Sequence, residues 1–180
     1  MKTSYMLIFF FSFFLSVLVA QNGRDSVVYT LADTAVANRL LKESVELNSK
    51  RYYDKAYAKA DSAQLIFEKV LGKNYKGVIA ALNQKGNSKI YQSKYDDALI
   101  YYQLAINIKL DTLNLDLANS YNNLGAIYFF KGNFNETIEL YEKALTIRLK
   151  LLGSEHIEVA NSYENIGSSY LNSVILNLQQ

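Results

Sequence analysis

The sequence predicts an all-α fold, an array of about three and a half antiparallel helix pairs. Three observations lead to this prediction. The 180 residues include no proline, although average usage would give about nine. Small residues recur at intervals of 42, 39 and 42 residues. Between them, apolar residues follow the spacing that places side chains on one face of a helix.

The first 20 residues are typical of a secretory signal peptide. Lys2 precedes an apolar run from Met6 to Ala20, after which polar residues begin abruptly. The run is about 15 residues long, whereas a membrane span needs about 20, so we expect cleavage, with a retained anchor as the alternative. The leader predicts a secreted or periplasmic protein that has no membrane contact after cleavage. Residues 21–34 would then form an N-terminal linker.

The repeat period is carried by small residues and by aromatic residues at fixed distances from them. The small residues are Ser44, Gly86, Gly125 and Gly167. An aromatic residue stands nine positions after each of the first three, at Tyr53, Tyr95 and Phe134. Further residues, mostly alanine, keep the same register at Ala56, Ala98, Thr137, Ala63, Ala105 and Ala144. We expect the small residues where two helices approach closely and the aromatic residues in the space around them.

Each unit reads as a helical hairpin, and the repeat domain covers residues 35–173. The predicted helices are 35–49, 53–71, 76–92, 95–110, 116–131, 134–152 and 156–173. They group into units at about 36–75, 76–116 and 117–156, with an incomplete unit at 157–180. In the third unit, Asn133 is predicted to cap the second helix through its side chain.

The third unit resembles the tetratricopeptide repeat. The matching residues are Tyr121, Leu124, Gly125, Tyr128, Thr137, Tyr141 and Ala144, of which only Thr137 departs from the family pattern. The longer unit, together with residues 144–148 and 152–160, is similar to the kinesin light chain type of repeat, although Ile157 stands where a proline usually follows the histidine. The resemblance covers about residues 36–172 and implies a right-handed superhelical solenoid.

Composition and motifs argue against several kinds of chemistry. There is no cysteine for a thiolate metal site or nucleophile, and 19 basic against 17 acidic residues give no basic patch for nucleic acid. No phosphate loop, nucleophile elbow or paired-histidine motif occurs. The single histidine, His156, is expected to be a loop residue at the start of the seventh helix. We therefore expect no catalytic residue, metal site or cofactor.

The candidate partner-binding residues lie on the first helices of the pairs, which should line a concave surface. They are Asn83, Gln84, Asn122, Asn123, Phe129, Phe130, Glu164 and Asn165. The kinesin light chain resemblance implies that Asn123 and Asn165 belong to a ladder that grips a peptide backbone, with Gln84 a weaker rung. Alternatively, these amides are merely exposed or hydrogen-bond the neighbouring helix, and either phenylalanine taken alone is a core residue. Asn87, Tyr91, Ala126 and Ser168 lie farther along the same faces.

The sequence therefore indicates a non-catalytic interaction module or scaffold that binds a peptide or partner protein in a concave groove. The alternative is the exported sensory or scaffold region of a larger signalling or protease-like protein. The apolar residues Val174, Ile175, Leu176 and Leu178 bear on this choice. A self-contained module would be a monomer, whereas a fragment would self-associate through this C-terminal apolar patch.

Overall fold

The computed structural model describes residues 17–18, 29–110 and 112–179. Apart from residues 17–18, the predicted leader lies outside these residues, as does most of the predicted linker. Two short strands precede the helices, β1 (Val17–Leu18) and β2 (Tyr29–Thr30). They pair antiparallel, with Val17 opposite Thr30 and Leu18 opposite Tyr29.

From residue 31 onward the described chain is built of helices, which confirms the all-α prediction for the repeat array. The seven helices are α1 (Leu31–Ser49), α2 (Tyr53–Leu71), α3 (Lys76–Tyr91), α4 (Tyr95–Ile106), α5 (Leu115–Phe130), α6 (Phe134–Leu152) and α7 (Ile157–Leu178). Helices that follow one another in the chain pack together, and α1 also contacts α3, which contacts α5. The first helices of successive pairs therefore lie side by side and form one continuous face.

Three helix boundaries differ clearly from the sequence prediction. The first is the start of α1, which begins at Leu31 instead of residue 35 and so includes the end of the predicted linker. The α2 and α6 helices stop at Gly72 and Gly153, which adopt φ of 87° and 81°. The middle unit is three residues shorter and has no glycine at this position, and α4 ends early, at Ile106. The α7 helix continues five residues beyond the predicted end because no glycine or proline interrupts it after Gly167.

The turn within each helix pair has one recurring geometry. Arg51, Ser93 and Gly132 adopt left-handed φ of 66°, 60° and 78° at equivalent positions. In the third pair, the N–H of Gly132 donates to the carbonyl of Phe129 and the N–H of Asn133 to that of Tyr128, both at 3.0 Å. The other two turns repeat this double bond, a Schellman motif that satisfies the last carbonyls of the first helix.

The caps of the helices differ from the prediction at one position. Asn133 is the N-cap residue of α6, but its side chain makes no capping hydrogen bond. Its carbonyl instead accepts a bond of 2.8 Å from the Thr137 hydroxyl. Side-chain caps occur at α5, where Asn114 accepts from the Leu117 N–H, and at α7, where His156 Nδ1 accepts from the Glu158 N–H. The predicted place of His156 at the start of the seventh helix is confirmed.

Glycines on the first helices meet tyrosine rings on the second. A Cβ built on Gly86 would lie 2.7 Å from the Tyr102 ring, and one on Gly125 would lie 2.9 Å from the Tyr141 ring. These glycines therefore allow the close helix contact that the sequence predicts. Gly167 differs, since nothing lies within 4 Å of a Cβ built there. The expected packing role of Gly167 is not present, because no second helix follows α7 in the described chain.

The first unit solves the same contact with other residues. Ser44 is fully buried in place of glycine, and its hydroxyl donates to the Ala56 carbonyl at 2.8 Å. Ala60 occupies the position of the tyrosine, so it leaves room for the larger Ser44 side chain. The alanines of the register are buried as predicted, namely Ala56, Ala63, Ala98, Ala105 and Ala144.

The aromatic residues at the start of the second helices are only partly core. Tyr53 is half-buried and stacks on Tyr91 at a ring distance of 5.7 Å. Phe134 packs edge-on against Phe129 at 5.5 Å. Tyr95 remains 44% exposed, so the prediction that it fills the core is wrong. Leu124 is buried in a core cluster with Tyr102 and Ile127, and the half-buried Tyr128 packs against this cluster.

Candidate partner-binding groove

The face formed by α3, α5 and α7 carries a row of asparagine side chains, which we call the amide row: Asn87, Asn123, Asn122 and Asn165. Asn123 Nδ2 donates to Asn87 Oδ1 at 3.2 Å, and Asn122 Nδ2 lies 3.4 Å from Asn123 Oδ1. Asn165 Nδ2 donates to Asn122 Oδ1 at 3.2 Å. The row therefore crosses three repeat units without a break in its hydrogen bonds.

A buried arginine fixes which way the amides of this row point. Arg148 Nη1 lies 3.4 Å from Asn122 Oδ1. Because a guanidinium only donates, it must face the amide oxygen of Asn122, which leaves Nδ2 turned toward Asn123. Asn123 in turn presents Oδ1 to Asn122 and donates through Nδ2 to Asn87 Oδ1. Asn87 Oδ1 also accepts from the Tyr102 hydroxyl at 2.7 Å. The row therefore has a defined polarity.

Arg148 joins three helices around the row. It is 7% exposed, and its Nη1 and Nη2 donate to Ser162 Oγ and Asn119 Oδ1 at 2.8 and 3.0 Å. Nε lies 3.3 Å from Glu158 Oε2, a charge contact without hydrogen-bond alignment. Burial lowers the pKa of Arg148 from its ordinary value, and the charge of Glu158 opposes this effect. The guanidinium stays charged because its pKa starts so far above neutrality.

Two cavities open beside the amide row, and they share Phe130 in their linings. We call the surface that contains them and the row the inner groove. The larger, of about 430 Å³, is lined by Asn122, Ala126, Phe129, Phe130, Tyr141, Asn165 and Ser168. The smaller, of about 200 Å³, is lined by Asn87, Ile90, Tyr91, Tyr95, Tyr102, Asn123, Ala126, Ile127 and Phe130. Their linings join polar amides to aromatic rings, the mixture typical of a recognition surface.

Phe130 and Phe129 take different places in this groove. The side chain of Phe130 is 78% exposed and lines both cavities. Phe129 is half-buried between Phe130 and Phe134, with ring centroids at 6.0 and 5.5 Å. The Phe130 ring is therefore the one of the two that is accessible to a partner, and the Phe129 ring packs against it from the protein side.

Three of the six polar residues predicted to bind a partner lie outside the amide row. Asn83 is 4% exposed, donates to the Asp116 carbonyl at 2.7 Å and accepts from the Ser120 hydroxyl at 2.6 Å. It fastens α3 to α5 and is inaccessible to a partner, which corrects its predicted place on the groove. Gln84 and Glu164 lie on α3 and α7 but line neither cavity. Asn87 takes the place in the row that the sequence assigned to Gln84.

Sequence reasoning missed two buried cations, Arg148 and Lys85. Lys85 Nζ contacts Asp61 Oδ1 at 2.6 Å and Gln64 Oε1 at 3.1 Å, away from the groove. It also lies 5.1 and 4.9 Å from the ring centroids of Tyr57 and Tyr101. The sequence does indicate that both side chains are buried, because each lies on the apolar stripe of its helix. Arg148, for example, stands seven residues after Tyr141.

Within the described part of the chain, two further features are not found. None of the helices there has both the length and the apolar character needed to span a bilayer. No cluster of three or more histidine, aspartate or glutamate side chains is placed to hold a metal ion among the same residues.

Comparison with known sequences identifies the repeats. Residues 116–172 match the family model for the tetratricopeptide repeat. The mitochondrial import receptor subunit TOM70 of Saccharomyces cerevisiae is 37% identical over 68 residues, which cover 38% of this chain. The chain spans only 10% of the length of that receptor.

Comparison with solved structures gives the same fold. BtubC (BKLC) from P. vanneervenii superimposes with a TM-score of 0.66 at 21% identity, covering 86% of this chain and 61% of that one. A putative kinesin light chain from Podosopora anserina, with TPR-like repeats, superimposes with a TM-score of 0.65 at 17% identity. The match covers 78% of this chain and 67% of that one. The repeat match and the shared helical solenoid agree with the packing described above. Residues 116–172 are therefore tetratricopeptide repeats, and the described helices form a solenoid of the same type.

Proposed function

We propose that this chain is a non-catalytic interaction module that holds an extended segment of a partner protein in the inner groove. Tetratricopeptide repeat proteins are generally non-catalytic, and their repeats typically bind protein partners. The observation that carries the proposal is the amide row running beside the exposed Phe130 ring. Backbone binding by the row and insertion of an apolar side chain beside Phe130 would act together.

The hydrogen bonds between the asparagines of the row can be replaced by hydrogen bonds to the backbone of a bound segment. A side-chain amide both donates and accepts, so it can pair with the N–H and C=O of an extended segment. The bonds between the asparagines measure 3.2 to 3.4 Å, at or beyond the long end of the usual range for N–H···O bonds. Replacing them with shorter bonds to a partner would therefore cost little.

A comparison of two double variants tests this function. The full chain is used as bait in cell-envelope extract beside Asn123→Ala/Asn165→Ala, which removes two rungs of the row. The matched control is Asn74→Ala/Asn135→Ala, which removes two exposed amides outside the groove. The groove function predicts a partner that the chain and the control capture and the rung variant does not. Equal capture by all three would refute the amide row as the binding element.

We further propose that the protein is exported, on the evidence of the N-terminal leader. Mass spectrometry of the protein from its native cells would test this, since cleavage after about residue 20 removes the apolar run. Intact Met1 on protein recovered from the cytosolic fraction would contradict export.

The free face of α7 favours a second candidate function, as a scaffold region of a larger protein. Gly86 and Gly125 are each covered by a tyrosine ring, whereas the equivalent Gly167 is open. Around it, Tyr170, Leu171 and other large apolar residues are exposed. In this candidate a further helix covers the face. Light scattering tests it, because an uncovered face predicts self-association that Leu171→Glu abolishes, whereas a monomer would favour the self-contained module.

A further inference from the structure

We infer that the segment bound by the inner groove is uncharged and inserts an aromatic or branched aliphatic side chain beside Phe130. This inference rests on the proposed function and restricts the chemical class of segment that the groove binds. Among the described residues that line the two cavities, every one is uncharged. A groove that bound an acidic or basic segment would need opposite charges to offset the loss of its hydration.

The one charge bonded to the amide row is not available to a ligand. Arg148 is buried, and its guanidinium is already shared among Asn119, Asn122, Ser162 and Glu158. A carboxylate of the partner could reach it only by displacing these groups. Arg148 therefore orients the amides and leaves the surface above them neutral.

Other charges near the groove lie outside its lining. Lys131 follows Phe130 directly, but its ammonium is paired with Asp96 at 2.7 Å. Glu164 is exposed on α7 and lines neither cavity. Neither residue supplies a charge within the cavities, so the recognition chemistry there is restricted to amide hydrogen bonds and apolar contact.

The larger cavity indicates what kind of side chain it accepts. Its volume of about 430 Å³ has room for several water molecules. Ala126, Phe129, Phe130 and Tyr141 form its apolar wall, and Asn122 and Asn165 form the polar edge. A large apolar side chain would displace this water while the adjoining backbone bonds the amides.

A selection experiment tests the assignment directly. A phage-displayed library of random peptides is selected on the full chain, and the Kd of an enriched peptide is measured at low and high salt. We expect neutral peptides with a recurring aromatic or branched aliphatic residue, and a Kd that changes less than about twofold with salt. Phe130→Ala should weaken binding by about tenfold or more. The control Ile100→Ala, whose side chain is also exposed (55% against 78% for Phe130) but lies outside both cavities, should not.

A matched pair of variants that place opposite charges in the groove tests whether the bound segment is uncharged. Ser168 is exposed and lines the larger cavity. For a neutral segment, Ser168→Lys and Ser168→Asp should bind within about twofold of each other. For an acidic segment, the lysine variant should bind about tenfold more tightly than the aspartate variant, and the reverse holds for a basic segment.

The outcomes separate this inference from the function beneath it. Enrichment of charged peptides that still depend on Phe130 would overturn neutrality and leave the groove function intact. Peptides that bind equally to Phe130→Ala would overturn the groove function itself. A library that yields no binder would overturn both.

Discussion

Gly86→Ala and Gly167→Ala place the same methyl group at equivalent positions of the repeat, and we expect opposite effects on stability. At Gly86, the new Cβ would lie 2.7 Å from two atoms of the Tyr102 ring. This is about 0.8 Å short of an ordinary carbon–carbon separation of about 3.5 Å. The ring is buried and its hydroxyl bonds Asn87 at 2.7 Å, so it has little room to move.

The expected magnitudes follow from these contacts. Overpacking at Gly86 should cost about 1–3 kcal/mol, and straining the Tyr102 hydrogen bond about 1 kcal/mol. The better helix propensity of alanine offsets about 0.5–1 kcal/mol of this cost. The net result is a loss of about 1–3 kcal/mol for Gly86→Ala. Gly167→Ala meets nothing within 4 Å and should stabilise α7 by about 0.5–1 kcal/mol.

Urea unfolding followed by far-UV circular dichroism measures both free energies of unfolding. A third comparison isolates the ring contact, because in a Tyr102→Ala background Gly86→Ala should no longer destabilise the chain. This background imitates the first unit, where Ala60 leaves room for Ser44. If Gly86→Ala stabilised the unaltered chain as much as Gly167→Ala does, the account of glycine and tyrosine packing would be refuted.

Three further predictions concern a turn, a buried charge and a half-buried acid. Ser93→Gly should raise the free energy of unfolding in urea by about 0.5–1 kcal/mol, because Ser93 holds a left-handed φ of 60° that glycine adopts without strain. Arg148→Met should lower the same quantity by about 2–4 kcal/mol, because it leaves the amide oxygen of Asn119 and the buried hydroxyl of Ser162 without their donor, and a change under about 0.5 kcal/mol would count against its bridging role. Burial raises the pKa of Asp116 above its ordinary 3.8, and the charge of Lys76 opposes this effect. Because the folded state then binds the proton more tightly than the unfolded state, the stability of the chain relative to Asp116→Asn should fall as pH rises through the raised pKa. Denaturant titrations at stepped pH would detect this trend.

The helices and their register could be predicted because they depend on local spacing. Glycine sixteen residues ahead of tyrosine recurs at Gly86 and Tyr102 and at Gly125 and Tyr141, so the helix contact follows from the sequence alone. The early end of α4 could not be predicted in this way. The neighbouring units stop their second helices at a glycine, and the middle unit lacks one.

The groove could be predicted only in outline. Asn123, Asn165 and Phe130 were identified from their register, and the structure places all three at the cavities. Asn83 shares the register of Asn122 yet is buried, because the Asp116 carbonyl and a serine of the next first helix bond it. Such contacts between units are set by tertiary packing, which spacing within one unit does not encode.

The orientation of the amides could not be predicted, because it depends on a residue of another helix. A charged residue on a helix is usually solvated, so nothing local marks Arg148 as buried apart from its place on an apolar stripe. Three helices converge to bury it and to supply Asn119, Ser162 and Glu158 as partners. The polarity of the row is therefore a property of the assembled repeats.

The most direct test of the central claim is site-specific photo-crosslinking in the native cells. A photoreactive phenylalanine analogue is placed at Phe130 in the inner groove, or at Ile100, which is exposed on α4 and lines neither cavity. The account predicts a discrete partner adduct from position 130 and none from position 100. Adducts from position 100 with none from position 130 would contradict binding in the groove.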